Sequence, residues 1–333
     1  MKNKPLNRQK YSKEVKEGLY QIVLPTTFPV GPVNVYLIEG NALTLVDTGP
    51  KTDEAWEILI KGIEEVGYQL MDIQQILITH YHIDHSGLLE RVRKISGAQI
   101  LGHPLLEPYI EIKPEFNEYR NQFYFNLYKS CGVPSEYHHH FARQQKRFQH
   151  LFDPSQVDIK LAHRQQVPGL EDWQVLYTPG HSQDHLCIYR RRDGVLLGGD
   201  HIIEHISSNA LIEPPLHSTN ERPLTLVQYR TALEMCADED IQIIFTGHGE
   251  PVTKHRQLIH ERLKNNWLRT EKTRHLLEDG PKTVYELTTL LFPSIFRKEL
   301  NLTISETIGH LDLLTLLHQV KVEEIEGVSY YSI

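Results

Sequence analysis

Four side chains that can bind a metal ion lie within six residues of one another in the first third of the chain: His80, His82, Asp84 and His85. Imidazole and carboxylate groups are the ligands of zinc and iron sites that keep open positions. The apolar residues 76–78 predict a buried strand, and a helix is expected from Ser86 onward. Four ligands on one turn cannot all converge on a single tetrahedral ion. We therefore expect two ions, with the first two histidines facing one and the aspartate and the last histidine facing the other.

The stretch HYHIDH, residues 80–85, resembles the HxHxDH signature of the metallo-β-lactamase fold superfamily of hydrolases. That family adds a fourth histidine, a bridging aspartate and a last histidine, each at a later strand end. The matching residues stand in the segments TPGHS, GGD and TGHG: His181, Asp200 and His248. Upstream, residues 45–49 match the family's Asp-Thr-Gly turn. The resemblance covers roughly residues 17–255, and every ligand position is filled.

The resemblance implies a dinuclear metal site. Its expected ligands form two groups joined by one carboxylate: His80, His82 and His181 at one ion, Asp84, His85 and His248 at the other, and Asp200 between them. Zinc is the expected metal, with iron and manganese as alternatives. Two divalent ions acidify a bridging water and polarise an electrophile, so hydrolysis needs no serine or cysteine nucleophile. Asp84 is the candidate catalytic residue, because it could orient the hydroxide and carry its proton towards the leaving group.

Other polar residues near these motifs are expected to support the site. The Asp47 carboxylate could tie its own turn, but we favour a hydrogen bond to a metal-binding histidine that fixes the tautomer of the ring. Tyr81 and Ile83 alternate with the ligands and are expected to be packing residues. His185 is expected to form hydrogen bonds rather than to bind metal. The three adjacent histidines 138–140 point in different directions on a helix, which predicts a solvated face.

The resemblance leaves the substrate class open, because relatives cleave thioesters, lactones or RNA. A small ester, thioester or lactone is the first expectation. Single-stranded RNA is the second, since the extra histidine motifs of the tRNA and pre-mRNA nucleases are not recognised here. A mononuclear-iron persulfide dioxygenase is a further alternative, but the intact set of Asp84, His85 and His248 argues against it. The last alternative is a binding or regulatory protein with a vestigial metal site, which the complete ligand set argues against. Such a protein would bind its ligand without turnover.

Composition narrows the range of partners. The chain has 333 residues, a formal charge of −8 and no long block of like charge, which argues against a broad surface for nucleic acid or membranes. Three widely spaced cysteines without a CxxC pair indicate a reducing compartment. No window approaches the ~18 consecutive apolar residues of a membrane span, and the N-terminus lacks the apolar stretch of a signal peptide. We therefore expect a cytoplasmic protein that acts on a small molecule.

The expected fold class is α/β, the four-layer αβ/βα sandwich of this superfamily, with the hydrolase domain over residues 1–255. Residues 52–66 carry apolar side chains at helical spacing, and this pattern stops at Gly67. Residues 103–163 are rich in aromatic and basic side chains at helical spacing. They predict an inserted helical hairpin or lid between the two halves of the fold, which is a natural place to select substrates.

Residues 256–333 predict a small C-terminal domain. Three helices and a hairpin in this order resemble the winged-helix domain attached to some of these hydrolases, and Thr283 with Glu286 predicts a capping box. A winged helix raises nucleic acid as a partner. However, the chain from Glu261 onward carries nine Lys and Arg against eleven Asp and Glu, a poor balance for phosphate contacts. Packing against the hydrolase core, or against a second subunit in a homodimer, is the better expectation.

Overall fold

The computed structural model describes residues 10–216 and 221–333. Two β-sheets form the centre of the molecule. The first has seven strands that lie side by side in chain order: β1 (Ser12–Lys16), β2 (Leu19–Leu24), β3 (Val33–Ile38), β4 (Thr44–Val46), β5 (Gln75–Leu77), β6 (Gln99–Gly102) and β7 (Ile159–Lys160). The second has four strands: β8 (Trp173–Tyr177), β9 (Leu186–Arg190), β10 (Val195–Gly199) and β11 (Ile243–Thr246), with β11 and β8 at its edges.

Helices cover the outer faces of both sheets and build the segments that follow. In the described part of the chain the α-helices are α1 (Asp53–Val66), α2 (Ile83–Ser86), α3 (Leu89–Ser96), α4 (Glu107–Glu111), α5 (Pro114–Ser130), α6 (His140–Phe148), α7 (Thr225–Asp238), α8 (His255–Leu276), α9 (Val284–Leu291) and α10 (Leu300–Leu316). A small third sheet has the strand order β12, β14, β13: β12 (Lys282–Thr283), β13 (Lys321–Ile325) and β14 (Val328–Ser332). Among the residues the structure describes, no helix is long and apolar enough to cross a membrane.

The two large sheets pack face to face. Successive side chains of a strand point to opposite faces, so one strand can serve two cores. Val35 and Leu37 of β3 enter the core on the outer side of the first sheet, whereas Tyr36 and Ile38 enter the core between the sheets. Leu197 of β10 reaches that inner core from the second sheet. The inner core therefore joins the two halves of the molecule.

Each sheet also buries its outer face under helices. Leu59 of α1 and Val92 of α3 pack on the first sheet. Leu233 of α7 and Ile259 of α8 pack on the second. Full burial of such an aliphatic side chain stabilises the fold by roughly 1.5–3 kcal/mol. The result is a helix–sheet–sheet–helix stack, which confirms the predicted four-layer α/β sandwich.

Local signals set the ends of α1 as the sequence predicts. The Thr52 hydroxyl accepts a hydrogen bond from the backbone N–H of Ala55 at 3.2 Å, which caps the first turn. Gly67 ends the helix with φ +103°, a left-handed conformation that side chains with a Cβ atom rarely adopt. Both boundaries of this helix are therefore encoded locally.

The inserted segment is helical over most of its length. Its helices α4 to α6 break at residues 132–134, as expected, because Gly132 (φ +72°) and Pro134 end the first half. The prediction of a helical insert up to residue 163 was wrong at its end. Ile159 pairs with Leu101 of β6 in parallel register, so this part of the chain returns as the seventh strand of the first sheet.

The C-terminal segment has the predicted order of helices and hairpin, and it shares a core with the insert. Tyr124 of α5 and Phe141 of α6 pack in one cluster with Leu287 of α9 and Leu311 of α10. The expected capping box is present at the start of α9, where the Thr283 N–H donates to the Glu286 carboxylate at 2.8 Å and the Thr283 hydroxyl accepts the reciprocal bond. Insert and C-terminal segment thus form one packed wall rather than two separate appendages.

Candidate metal centre

The predicted ligands meet where the strands of both sheets end. β4 and β5 run parallel, so their carboxyl ends lie side by side. Asp47 and the loop before His80 therefore leave the first sheet at the same end of its strands. β10 and β11 are also parallel, and they deliver Asp200 and His248 to one edge of the second sheet. The Asn34 N–H donates to the Gly247 carbonyl at 2.7 Å and so ties the two edges together. Parallel pairing is therefore what brings distant parts of the sequence to one site.

Three imidazoles form the first ligand group. Nδ1 of His82 lies 3.0 Å from Nε2 of His80 and 3.0 Å from Nε2 of His181. These nitrogens converge on one point from two sheets, since His181 follows β8 and the other two follow β5. One ring nitrogen cannot form two good hydrogen bonds to other imidazoles at once, whereas all three nitrogens could bind a single cation.

The second group combines Asp84, His85 and His248. Nε2 of His248 lies 3.3 Å from Oδ2 of Asp84, and the ligand atoms of all three residues lie within 4.8 Å of one another. Asp200 stands between the two groups. One of its oxygens is 3.3 Å from Nε2 of His85, and the other is 3.7 Å from Nε2 of His181. The structure therefore brings all seven predicted metal ligands together in the predicted grouping.

Hydrogen bonds on the far side of the rings fix their orientation. Nδ1 of His85 donates to the Asp47 carboxylate at 2.8 Å, which is the bond expected of Asp47. Nδ1 of His181 lies 3.0 Å from the Asn209 carbonyl, and Nδ1 of His248 lies 2.8 Å from the carbonyl of Pro32. Each carbonyl accepts a hydrogen bond from the N–H group at Nδ1. Nε2 of each ring is then left unprotonated towards the centre, as metal binding requires.

His185 acts as predicted, as a hydrogen-bonding residue. Its Nε2 accepts from the backbone N–H of Asp200 at 3.1 Å, and its Nδ1 lies 2.8 Å from the hydroxyl of Thr178. Gly199 allows this contact, because a Cβ atom at that position would lie 2.8 Å from the His185 ring nitrogen. The ring thus positions the bridging aspartate through its backbone.

The two ligand groups differ electrostatically. Burial holds the pKa of His80 well below its ordinary value, lowers the pKa of His82 to about 3 and lowers the pKa of His181. These rings are neutral, which is the form that binds metal. Burial also disfavours charge on His85 and His248, but the neighbouring carboxylates outweigh it and raise the pKa of both. Protons therefore compete with an ion more strongly at the second group than at the first.

The residues fit divalent ions. Nε2 of His85, Nε2 of His248 and Oδ1 of Asp200 are buried and have carboxylate or imidazole neighbours at about 3.3 Å, but they form no well-directed hydrogen bond among the described residues. An unsatisfied buried polar atom costs about 1–3 kcal/mol, so a cluster of them at one point suits the binding of a cation. Nitrogen and carboxylate donors of this kind suit zinc, iron or manganese.

Several expectations about the motif need correction. The predicted loop becomes helical earlier than expected, since α2 begins at Ile83 and contains both Asp84 and His85. Tyr81 and Ile83 are not only packing residues, because both line the cavity over the metal centre. The histidines at 138–140 do not all lie on a helix, since α6 begins at His140, and Nε2 of His138 lies 2.7 Å from the Val133 carbonyl.

A cavity of about 900 Å³ opens onto both ligand groups. Its floor is formed by four of the predicted ligands: His82, Asp84, His181 and Asp200. Phe28 borders it, as the Pro-rich loop 25–32 allows, and the loop 201–209 contributes Ser208 and Asn209. Insert and C-terminal segment supply the remaining wall. The metal centre therefore sits at the bottom of a pocket of a size suited to a small molecule.

Two groups at this pocket had no signal in the sequence. Glu213 is buried beside the cavity and accepts hydrogen bonds from the Gln183 N–H and the Tyr109 hydroxyl at 3.0 and 3.1 Å. Burial raises the pKa of Glu213 to about 6. Arg120 of α5 lies in the same wall. A carboxylate outside any motif, and one arginine among many in the insert, cannot be distinguished from surface charges by pattern alone.

Comparison with known proteins agrees with this geometry. The family model of the metallo-beta-lactamase superfamily matches residues 28–248. The chain is similar to the probable metallo-hydrolase YqjP of Bacillus subtilis (strain 168), with 38% identity over 299 residues that cover 90% of this chain and 92% of the relative. It is more distantly similar to the thioesterase pkgB of Emericella nidulans, with 22% identity over 78% of this chain and 60% of the relative.

Solved structures give the same result. The metallo-beta-lactamase family protein TTHA1429 from Thermus thermophilus superposes with a TM-score of 0.81 at 27% identity, over 96% of this chain and 99% of the other. A beta-lactamase domain protein from Burkholderia ambifaria shares the fold, with a TM-score of 0.74 at 20% identity, over 97% of this chain and 94% of the other. The chain belongs to the metallo-β-lactamase superfamily and is a metal-dependent hydrolase of that family.

Proposed function

We propose that this protein is a dinuclear metal hydrolase that acts on a small thioester, ester or lactone. The observation that supports it best is the pair of ligand groups joined by one carboxylate. Nδ1 of His82 lies 3.0 Å from two other imidazole nitrogens, and the Asp200 oxygens lie 3.3 to 3.7 Å from ligand nitrogens of both groups. Such a paired arrangement is typical of sites that hold two ions.

The residues that would hold the two ions are those of the two groups: His80, His82 and His181, then Asp84, His85 and His248, with Asp200 shared. When bound, divalent ions supply Lewis-acid activation of a water and of the substrate carbonyl. Zinc is the metal we expect, with iron and manganese as alternatives. The protein contributes neutral rings, oriented from behind by Asp47 and by two backbone carbonyls.

Asp84 is the residue we assign to proton transfer. Its carboxylate faces the cavity, and Oδ2 lies 3.3 Å from Nε2 of His248. Burial would raise the pKa of this carboxyl, but the attraction of His85 and His248 outweighs it and lowers the pKa. An ionised Asp84 accepts a proton from the attacking water and can then pass it to the leaving group.

The shape of the cavity favours a small substrate over RNA. Its wall combines aromatic residues of the insert with Leu302 of α10, so the metal centre lies at the base of a pocket rather than along an extended groove. Among small substrates we rank thioesters first, since a distant relative is named a thioesterase. Cleavage of single-stranded RNA remains the alternative within the hydrolases.

A mononuclear-iron dioxygenase would use only part of this ligand set. It would use one ion and leave Asp84, His85 and His248 without a metal. Buried atoms of both histidines lack hydrogen-bond partners among the described residues, which supports a cation at this second group as well. One equivalent of iron per chain, with oxygen consumed on a persulfide, would favour the dioxygenase.

A substrate panel on zinc-loaded protein tests the proposal. An aryl thioester, an aryl ester, an acyl-homoserine lactone and a single-stranded oligoribonucleotide would be compared at equal enzyme concentration. We expect hydrolysis of at least one of the first three, and a loss of about 10²–10⁴-fold in kcat for Asp84→Asn. Cleavage of RNA alone, or full activity in Asp84→Asn, would contradict the assignment.

A further inference from the structure

The cavity extends from the metal centre to a second polar region on helix α5. Asn117, Arg120 and Asn121 all line the cavity there. Residues three and four apart share one helix face, so these side chains form a single polar strip on a largely apolar wall. The strip lies in the insert, outside all the motifs that build the metal centre.

Arg120 is surrounded by aromatic rings. Its guanidinium carbon lies 4.9 Å from the ring centre of Tyr109, 5.2 Å from that of Phe141, 5.7 Å from that of Phe116 and 5.8 Å from that of Tyr81. Rings at such distances attract the cation and restrict its position. These four rings, the aromatic cage, restrict the position of the guanidinium, but the ring faces offer it no hydrogen-bond acceptor.

The Nε donor of Arg120 is unmet. It is fully buried without a hydrogen-bond partner among the described residues. Glu213 attracts the guanidinium, but among the described residues Arg120 forms no ion pair within 4.0 Å. The neighbouring Glu213 directs Oε2 to the Gln183 N–H and the Tyr109 hydroxyl instead. A buried N–H group without an acceptor is costly, so a ligand oxygen at this point would stabilise the site.

The position of Arg120 suits one end of a substrate. The Tyr81 ring lies 5.8 Å from the guanidinium and 4.7 Å from the His82 ring. Tyr81 therefore links Arg120 to the proposed metal ligands. The planar guanidinium fork matches a planar carboxylate with two parallel hydrogen bonds. Negative charge on Glu213 nearby disfavours a doubly charged phosphate group at the same place more than a singly charged carboxylate.

We propose that Arg120 binds a carboxylate at the far end of the substrate, so that the acyl group of the thioester, ester or lactone carries a terminal acid. This rests on the proposed function for the reacting end of the substrate. Arg120 is a specificity-determining residue in this scheme. The metal centre holds the reacting carbonyl, while the caged cation selects the acid at the other end.

Matched aryl thioesters test this assignment. The substrates would be the glutaryl thioester, its terminal methyl ester and its phosphonate analogue. Wild-type protein should prefer the free acid over the methyl ester by about 10- to 100-fold in kcat/KM, the range that hydrogen bonds to charged groups supply. Arg120→Met, which keeps an apolar side chain among the rings, should reduce this ratio to near one. Arg120→Lys, which keeps the charge without the fork, should give an intermediate ratio.

A control and a binding measurement separate the possible failures. Arg143→Gln changes an exposed arginine of the same insert, which donates to the Glu136 carbonyl, and should keep the wild-type ratio. Calorimetry on zinc-loaded protein should show glutarate binding about tenfold more tightly than butyrate, and Arg120→Met should remove the difference.

Each result points to one conclusion. Equal preference in wild type and Arg120→Met would overturn the role of Arg120 and leave the hydrolase proposal standing. A preference for the phosphonate over the acid would overturn the choice of a carboxylate. If no thioester is cleaved but glutarate binding still depends on Arg120, the anion site stands and the proposed hydrolysis fails.

Discussion

Oδ2 of Asp47 lies 2.8 Å from Nδ1 of His85, and the same carboxylate accepts hydrogen bonds from the backbone N–H and the hydroxyl of Thr79, each at 2.8 Å. Asp47 has φ +60°, a left-handed conformation that costs about 1–2 kcal/mol outside glycine. The surrounding hydrogen bonds hold it there. Strain of this kind is typical of positions where a side chain must be aimed. Asp47 thus orients the ring of His85, a proposed metal ligand, without facing the proposed metal centre itself.

Asp47→Asn should weaken metal binding without unfolding the protein. The amide keeps the shape of the carboxylate but loses the charge that supports His85, and removal of such an outer partner typically costs about 10–100-fold in metal affinity. Competition with a chelator measures the affinity. Asp53→Asn, at the exposed start of α1, is the matched control and should leave it unchanged. Equal affinities in both variants would show that Asp47 only ties its turn.

The number of bound ions should depend on pH. The pKa values of His80, His82 and His181 are lowered, so these rings stay neutral and able to bind metal in mild acid. The pKa values of His85 and His248 are raised, so protons compete with metal more strongly as the pH falls. We expect about two ions per chain near pH ~8 and about one near pH ~5.5.

Metal analysis after dialysis at the two pH values checks this expectation. His248→Ala should hold one ion at both pH values, whereas His82→Ala should lose the ion that resists acid. Parallel loss of both ions as the pH falls would contradict the difference between the groups.

Gly247→Ala should damage the centre directly. A Cβ atom at this position would lie 2.3 Å from Oδ1 of Asp200 and 2.8 Å from Cε1 of His85. Displacement of ligands by about 1 Å costs on the order of 100-fold in rate, so we expect at least that loss of kcat. Gly97→Ala is the control, because its Cβ atom meets open space after α3. That variant should lose some stability through its left-handed φ but keep its metal and its kcat.

Arg262 links the C-terminal segment to the pocket. From α8 its Nη2 donates to the carbonyls of Ile203, Glu204 and Ile206 at 3.3, 2.7 and 2.9 Å. Arg262→Ala leaves the loop 201–209 without these bonds, so we expect KM to rise more than kcat falls. The free energy of unfolding should decrease by about 1–3 kcal/mol.

Steady-state kinetics and denaturant titration measure both effects. Arg256→Ala is the matched control on the same helix, since Arg256 donates to the carbonyls of Ala237 and Glu239, away from the pocket. That variant should lose comparable stability with an unchanged KM. A rise in KM for both variants would mean that α8 acts through general loosening rather than through the loop.

Much of the centre was predictable because its chemistry depends on residue type and spacing. Few side chains can serve as metal ligands, so residues such as His80 and Asp84 stand out by type, and glycines mark the turns that hold His181 and His248. The strip of apolar residues in α1 likewise predicted its buried face. Pattern and structure agree at the proposed ligands and at the buried face of α1.

The parts that were missed depend on backbone atoms or on long-range packing. β1 escaped prediction because Ser12–Lys16 is a largely exposed edge strand without an apolar alternation. The carbonyls of Pro32 and Asn209 orient two histidines, and any residue could supply them. The cage around Arg120 assembles from separate elements of the fold. The sequence pattern of these aromatic residues predicts core packing, but the rings also surround the guanidinium of Arg120.

The most direct test of the account is the metal content per chain of protein purified without chelator or affinity tag, measured together with hydrolysis in wild type and His181→Ala. His181 completes the three-histidine group, so the variant should lose an ion and its activity while remaining folded. We expect about two equivalents of divalent metal in the wild type. Absence of bound metal that cannot be restored by addition, or unchanged activity in His181→Ala, would contradict the metal-dependent mechanism.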